Sequence, residues 1–313
     1  MSSAVDERPV TTGTAAPSPG RSRRTGGGPA PWIVPSLVVL LAVSIYPAIY
    51  ALITSFRFYN VNISAKPGDF NGLQNYVTAL TDAGFGRAIA QTLLFCTVVT
   101  AVELVLGFLL ALLLREPLKG IGIARSLLII PVSIAPTVAG LAFRSMYAPG
   151  TGLIPAVFDK LGIGLPAAGI LGSKATAMPA LMITDIWQWT PFIALVMLAA
   201  LQGVPKDVVE AARIDGAGSL RILTGVTLPL ISTTVAMIGT LRFIQSFNVF
   251  DIVYVETRGG PGGSTSTIGM EIFLAGLNNY NIGLASALTV IATVIVGVFI
   301  SVYFYVSNRG AHA

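Results

Sequence analysis

Long apolar runs, joined by short polar connections, set the pattern of this chain. Continuous hydrophobic stretches cover about residues 32–56, 91–114, 124–147, 177–201, 228–255 and 282–306. Each reaches or exceeds the roughly 20 residues that a helix needs to cross the hydrocarbon core of a bilayer. None alternates apolar and polar positions over about ten residues, as the strands of a membrane barrel do. The pattern predicts an all-α integral membrane protein with six transmembrane helices. Pro35 and Pro47 lie inside the first run, which membrane helices tolerate better than soluble ones. Residues 1–29 break the pattern, being rich in Ser, Thr, Gly, Pro and Arg. They read as a disordered tail rather than a secretory signal, because the apolar run that follows is too long and ends in no small-residue cleavage site. The expected division is a tail over 1–29, a membrane domain over 30–307 and a short tail over 308–313.

Composition strengthens this picture. Only 11% of the 313 residues are charged, 54% are hydrophobic, and mean hydropathy is +0.78. A soluble domain carries roughly 25% charged residues. The net charge of +5 does not form a nucleic-acid-binding patch. The basic residues lie between apolar runs, where they set orientation. With the N-terminus inside, the cytoplasmic segments hold Arg8, Arg21, Arg23, Arg24, Arg115, Lys119, Arg125, Lys206, Arg213, Arg221 and Arg309. The outer segments hold Arg57, Lys66, Arg87, Lys160, Lys174 and Arg258. The bias places both termini in the cytoplasm and turns the connections 57–90, 148–176 and 256–281 outward.

Several chemistries are excluded. Cys96 is the only cysteine and His312 the only histidine. No disulfide framework, metal site or His-based catalytic triad is expected, and no catalytic residue stands out. No G-x-x-x-x-G-K-[ST] phosphate loop occurs, so a chain of this kind would need nucleotide hydrolysis from elsewhere.

One connection carries the strongest motif. Glu210-Ala211-Ala212-Arg213-Ile214-Asp215-Gly216 is followed nine residues later by Val226-Thr227-Leu228-Pro229. The stretch predicts a short helix, a Gly break and a return into the membrane. Asp207 with Glu210 three residues on reads as a capping box. Ala211 and Ala212 are small enough for a partner surface to approach. Gly216 suits the left-handed end of a helix, and Pro229 the first turn of the next span. An ordinary capped loop would carry the same local features.

The whole stretch resembles the EAA loop of ABC importer permeases, with Val226 where the pattern has Ile. Three further elements resemble sugar permeases of that family in the same order. They are Phe70-Asn71-Gly72-Leu73-Gln74-Asn75-Tyr76, Thr257-Arg258-Gly259-Gly260-Pro261, and Gly283-Leu284-Ala285-Ser286-Ala287. Taken singly, these are also turn and helix-packing residues. Together they resemble the first-type permease subunit of maltose and glycerol-3-phosphate importers over about residues 32–307. The resemblance implies the minimal six-span type I permease bundle, with a cytoplasmic coupling loop at 205–229. It assigns ATPase coupling to Glu210, Ala211, Ala212, Asp215, Gly216, Leu228 and Pro229.

Polar residues at membrane depth are costly and usually face a cavity or a partner helix. Glu103, Asp185 and Arg242 are charged, as are Asp251 in the fifth run and Arg144 in the third. Glu103 and Arg242 have three open roles: an ion pair, a proton site, or packing glue. Aligning to the family places substrate contacts at Trp187, Gln188, Trp189 and Phe192, and at Ser246 and Asn248, with Gln245 beside them. Aromatic rings and amides in such a mixture suit a sugar. For Trp187 and Trp189 an interfacial aromatic belt is the alternative.

The resemblance further implies a set of partners. These are a second permease subunit, two cytoplasmic ATPase subunits that bind ATP and Mg, an extracytoplasmic sugar-binding lipoprotein or periplasmic protein, and membrane lipid, with no cofactor in this chain and no nucleic acid. The expected cargo is a di- or oligosaccharide, with glycerol-3-phosphate or another polyol as the alternative. An ion-coupled secondary transporter is the rival class, and it would show inverted repeats with broken helices.

Overall fold

The computed structural model describes residues 30–116 and 119–310. The tail expected over 1–29 and the last three residues lie outside the described residues. Among the described residues the chain is all-helical, with no strand and two isolated bridges, Arg57–Phe70 and Asn60–Asn281. It divides into Met1–Pro47 and Ala48–Ala313.

In order, the helices are α1 (Ile33–Ser55), α2 (Gln74–Thr81), α3 (Ala83–Arg115), α4 (Ile121–Ser133) and α5 (Pro136–Met146). After them come α6 (Leu153–Lys160), α7 (Ala177–Gln202), α8 (Lys206–Ile214), α9 (Leu228–Phe247), α10 (Asp251–Glu256), α11 (Ile268–Asn278) and α12 (Ile282–Gly310). Five helical stretches are long and apolar enough to cross a membrane, or six if α4 and α5 together make one bent span.

That third span departs from the straight helix expected over 124–147. Its two limbs meet at 94°. Pro136 has no N–H to continue α4 and pushes Ala135 into the extended region, at φ −60°, ψ 138°. Pro136 then opens α5, the position where its missing donor costs nothing. Prolines disturb two other spans more gently. Before Pro47 the helix widens to a π-turn over Leu41–Ile45, where the Tyr46 N–H reaches back to Leu41 O. Before Pro229 the same happens over Leu223–Thr227, with the Leu228 N–H on Leu223 O. The wider turn moves the carbonyl that a proline ring would otherwise strike. The fifth span accordingly begins at Ser219 rather than at Leu228.

In Ala48–Ala313 the core is built where α3 crosses α7. Ala111, Leu114, Ile193, Met197 and Leu201 bury each other there, with Ile231 and Ile238 of α9 against them. Gly107 makes the close approach possible, since a Cβ on it would lie 2.6 Å from Ile193 Cγ2. Gly107→Val is expected to lower stability by about 1–3 kcal/mol through overpacking. Thermal unfolding in detergent measures this, and an unchanged midpoint would mean that the crossing yields freely.

Two of the sequence motifs meet in space. Asn75 Nδ2 donates to Ser55 O (2.8 Å) and Arg57 O (2.9 Å), capping the end of α1. Tyr76 shares a 2.6 Å hydrogen bond with Ser55 Oγ. Gly283 sits against the same place, where a Cβ would fall 2.5 Å from Arg57 O. The third motif, Thr257–Pro261, forms a turn with Arg258 and Gly259 in the left-handed region and a cis Gly260–Pro261 bond.

The end of α8 follows expectation and its start does not. Pro205, not Asp207, occupies the N-cap. Proline's fixed φ lets it stand there, and Asp207 falls in the first turn, where its charge still complements the helix dipole. At the other end Gly216 has φ +80°. The Ala217 N–H bonds Ala212 O and the Gly216 N–H bonds Arg213 O, both at 3.0 Å. This is the Schellman arrangement that lets the chain reverse.

Candidate functional site

Three helices each bring one charged residue to a single buried point. Arg242 of α9 donates from Nε to Glu103 Oε2 on α3 (2.7 Å) and from Nη2 to Glu103 Oε1 (3.0 Å). Its Nη2 also donates to Asp185 Oδ2 on α7. Glu103 is fully buried, Arg242 is 1% exposed and Asp185 4%. Of the roles open to Glu103 and Arg242, the structure shows an ion pair, extended to a triad by Asp185. The forked guanidinium is the side chain able to bridge two carboxylates at once. Its Nε and Nη2 are both committed to these carboxylates.

Beside the triad lies a cavity of about 400 Å³. Asp185, Trp189, Arg242, Gln245, Asn248 and Asp251 face it, with Pro136 at the bend of the third span and the backbone turn 249–252 completing the wall. Helical spacing explains the grouping. Asp185 and Trp189 are four residues apart on α7, while Arg242, Gln245 and Asn248 follow at intervals of three on α9, so each set shares a face. The Trp189 ring stacks over the guanidinium, 4.9 Å from centroid to Cζ, which holds the indole flat against the cavity wall.

Other residues expected in the pathway lie elsewhere. Trp187 turns onto another face of α7 and packs on Phe143, with ring centroids 5.2 Å apart. Gln188 is buried and donates from Nε2 to Ile134 O (2.7 Å), satisfying a carbonyl that the break in the third span leaves free. Ser246 is buried against Phe243 O and Thr100 Oγ1. Phe192 touches the site indirectly, edge-on to Trp189. Pro136 is the addition that the structure makes to the site, and Asp251, the acid late in the fifth run, joins it there. Among the described residues no group of three or more His, Cys, Asp or Glu is placed to hold a metal.

The residues expected to couple to an ATPase form a separate surface. No residue of α8 is buried, and Glu210, Ala211 and Asp215 are exposed. Ile214 is 86% exposed and Leu220 74%. Leu228 is half-buried, and Pro229 is exposed at the start of α9.

Residues 103–310 match the model of the binding-protein-dependent transport system inner membrane component. The chain belongs to that family. It is thus a multi-pass membrane permease. It is 36% identical over 279 residues to the trehalose/maltose transport system permease protein MalF of Thermococcus litoralis, covering 88% of this chain and 92% of that one. It is 35% identical over 282 residues to the trehalose transport system permease protein SugA of Mycobacterium tuberculosis, covering 87% of each. Its fold superposes with a TM-score of 0.78 on a bacterial ABC transporter involved in import of the acidic polysaccharide alginate, at 22% identity, covering 89% of this chain and 94% of that one. The family match begins at Glu103, the first member of the triad.

Proposed function

We propose that this chain is one of two permease subunits of an ATP-driven importer that carries a di- or oligosaccharide across the cell membrane. The observation that carries the cargo assignment is the chemistry of the central cavity. Its one guanidinium is already bound by two carboxylates, and Asp251 adds a further acid. An anionic ligand such as glycerol-3-phosphate would meet repulsion there. A neutral polyhydroxylated ring finds an indole face, two amides and two carboxylates, which supply stacking together with donors and acceptors. The relatives named for trehalose and maltose transport support the same class. Membership of a binding-protein-dependent family favours this importer over an ion-coupled carrier.

In this reading residues 30–307 form the permease domain, with six spans once α4 and α5 count as one. Both tails lie on the cytoplasmic side. Residues 205–229 form the coupling loop, and α8 docks on one of two cytoplasmic ATPase subunits, which bind ATP and Mg and perform the hydrolysis. The exposed apolar residues of α8 and the Gly216 reversal support a docking role, since bare apolar side chains at a polar surface mark an interface. An extracytoplasmic binding protein delivers the sugar, and a partner permease completes the pathway. This chain binds no cofactor and catalyses no reaction itself.

The test is uptake of labelled trehalose and maltose by the complex in proteoliposomes, with ATP inside and the binding protein outside. Trp189→Ala combined with Asn248→Ala is expected to lower uptake by about tenfold to a hundredfold, the loss of one stacking and one hydrogen-bonding partner. ATPase co-purification should not change. Trp187→Ala should transport at close to the wild-type rate. Equal losses in both variants would remove the central cavity from the sugar route.

A further inference from the structure

A separate cavity of about 390 Å³ lies between the C-terminal end of α5, the 148–176 connection and the Thr257–Pro261 turn. Glu256 closes one side of it. Glu256 is 4% exposed, and neither of its carboxylate oxygens has a hydrogen-bond partner. The hydroxyls of Tyr147 and Thr184 lie nearby and donate to Ala180 O, at 3.2 and 3.3 Å. Arg144, on the same cavity wall, donates from Nη1 to Val255 O (2.8 Å) rather than to Glu256. A buried carboxylate without donors is costly, so such a group is usually kept for a ligand that supplies them.

The ligand class follows from the surroundings. A divalent cation wants several oxygen ligands, and among the described residues no cluster of three acids or other metal ligands exists. Arg144 on the same wall also opposes a cation. A neutral ring bearing adjacent hydroxyls fits both groups, because two O–H groups can donate to the two carboxylate oxygens while the guanidinium donates to a third oxygen.

Position adds the second part. The short helix α10 has Asp251 in the central cavity and Glu256 in this one, and α5 has Pro136 in the first and Arg144 in the second. At 1.5 Å per residue the two sites are about 8–12 Å apart, joined by the same pair of helices. We propose that the outer cavity is a second saccharide-binding site, in which Glu256 accepts hydroxyls of the sugar before it passes along α5 and α10 to the central cavity. The proposal rests on the sugar-importer reading given above.

The experiment uses the assembled transporter with trehalose and maltose as probes. Glu256→Gln keeps the shape and removes the charge. Uptake by this variant is expected to fall about tenfold or more, the loss of one acceptor oxygen for the sugar hydroxyls, while the thermal midpoint stays level or rises because a poorly partnered buried carboxyl is gone. A second readout locates the effect. Ala148→Cys places a thiol on the cavity wall, and millimolar sugar should slow its labelling by a membrane-impermeant maleimide in nanodiscs. That protection should vanish with Glu256→Gln and survive Asn248→Ala. If wild-type complex carries neither sugar, the sugar reading fails and this site with it. If wild type carries one of them but Glu256→Gln matches it, or loses assembly and midpoint together, the outer site alone is overturned.

Discussion

Replacing Arg242 with methionine is expected to cost about 3–5 kcal/mol of stability, enough to deplete folded protein from the membrane. The guanidinium pairs with both Glu103 and Asp185, so its removal strands two carboxylates that are almost fully buried. Arg242→Lys should recover only part of the loss, because an ammonium is a point charge and cannot fork to two acids. The companion variant removes all three charges at once, as Glu103→Gln, Asp185→Asn and Arg242→Met. It should restore the yield and thermal midpoint to near wild type, since a neutral cluster strands no charge. Midpoint and yield after size-exclusion in detergent report stability, and proteoliposome uptake reports function. If the triple variant folds and also transports at the wild-type rate, the triad is packing alone. If it folds but does not transport, the charges serve the cavity they border. Wild-type yield for Arg242→Met would show that water or lipid headgroups reach the acids, against the burial described here.

The apolar runs made the spans legible, because the cost of exposing polar backbone to lipid acts on every residue of a segment. The bend in the third span leaves no mark in the hydropathy pattern, which averages across Ser133, Ile134 and Ala135, while the Pro136 ring decides the geometry there. The reversal at Gly216 was readable, since a local left-handed requirement leaves a local signature. The capping box expected at Asp207 does not form, because Pro205 is sterically able to start the helix two residues earlier. At the site, the expense of Glu103, Asp185 and Arg242 in a membrane flagged each one, yet their meeting depends on three helices distant in sequence. The parity of the two tryptophans was legible in principle. With Asp185 inward, the helical period turns Trp189 inward and Trp187 away. Glu256 drew no attention because it stands at the boundary of a span, where a carboxylate is ordinary. Only the enclosing turn at Thr257–Pro261 buries it.

In the proposed importer the two ends of α9 serve separate tasks. Its C-terminal half carries Arg242, Gln245 and Asn248 at the cavity. Its run-in from Ser219, through the π-turn before Pro229, connects directly to the α8 surface. A helix transmits displacement along its axis as a stiff body, so in the proposed coupling a motion of α8, passed across the Gly216 reversal, would reach the cavity along the span that begins at Ser219. The π-turn is the place where that element can most readily bend.

Gly216→Pro is therefore expected to abolish ATP-coupled uptake while leaving membrane insertion intact. Gly216 holds φ at +80°, whereas a proline ring fixes it near −65°. The substitution also deletes the N–H that bonds Arg213 O. The chain can no longer reverse after Ile214, and α8 loses its fixed direction relative to the start of the fifth span. Gly216→Asn tests the same point more gently. Asparagine tolerates the left-handed region at a cost of about 1 kcal/mol, so uptake should fall only severalfold. Glu210→Ala keeps the reversal and removes an exposed carboxylate, and in the coupling reading it should uncouple uptake from hydrolysis with α8 still folded. ATP hydrolysis stimulated by the sugar-loaded binding protein, measured beside uptake, separates these cases. Gly216→Pro should lose both, and ATPase subunits should fail to co-purify with it. Wild-type uptake by Gly216→Pro would show that α8 is not the coupling element, and the search for the ATPase contact would move to the α3–α4 connection around Arg115 and Arg125.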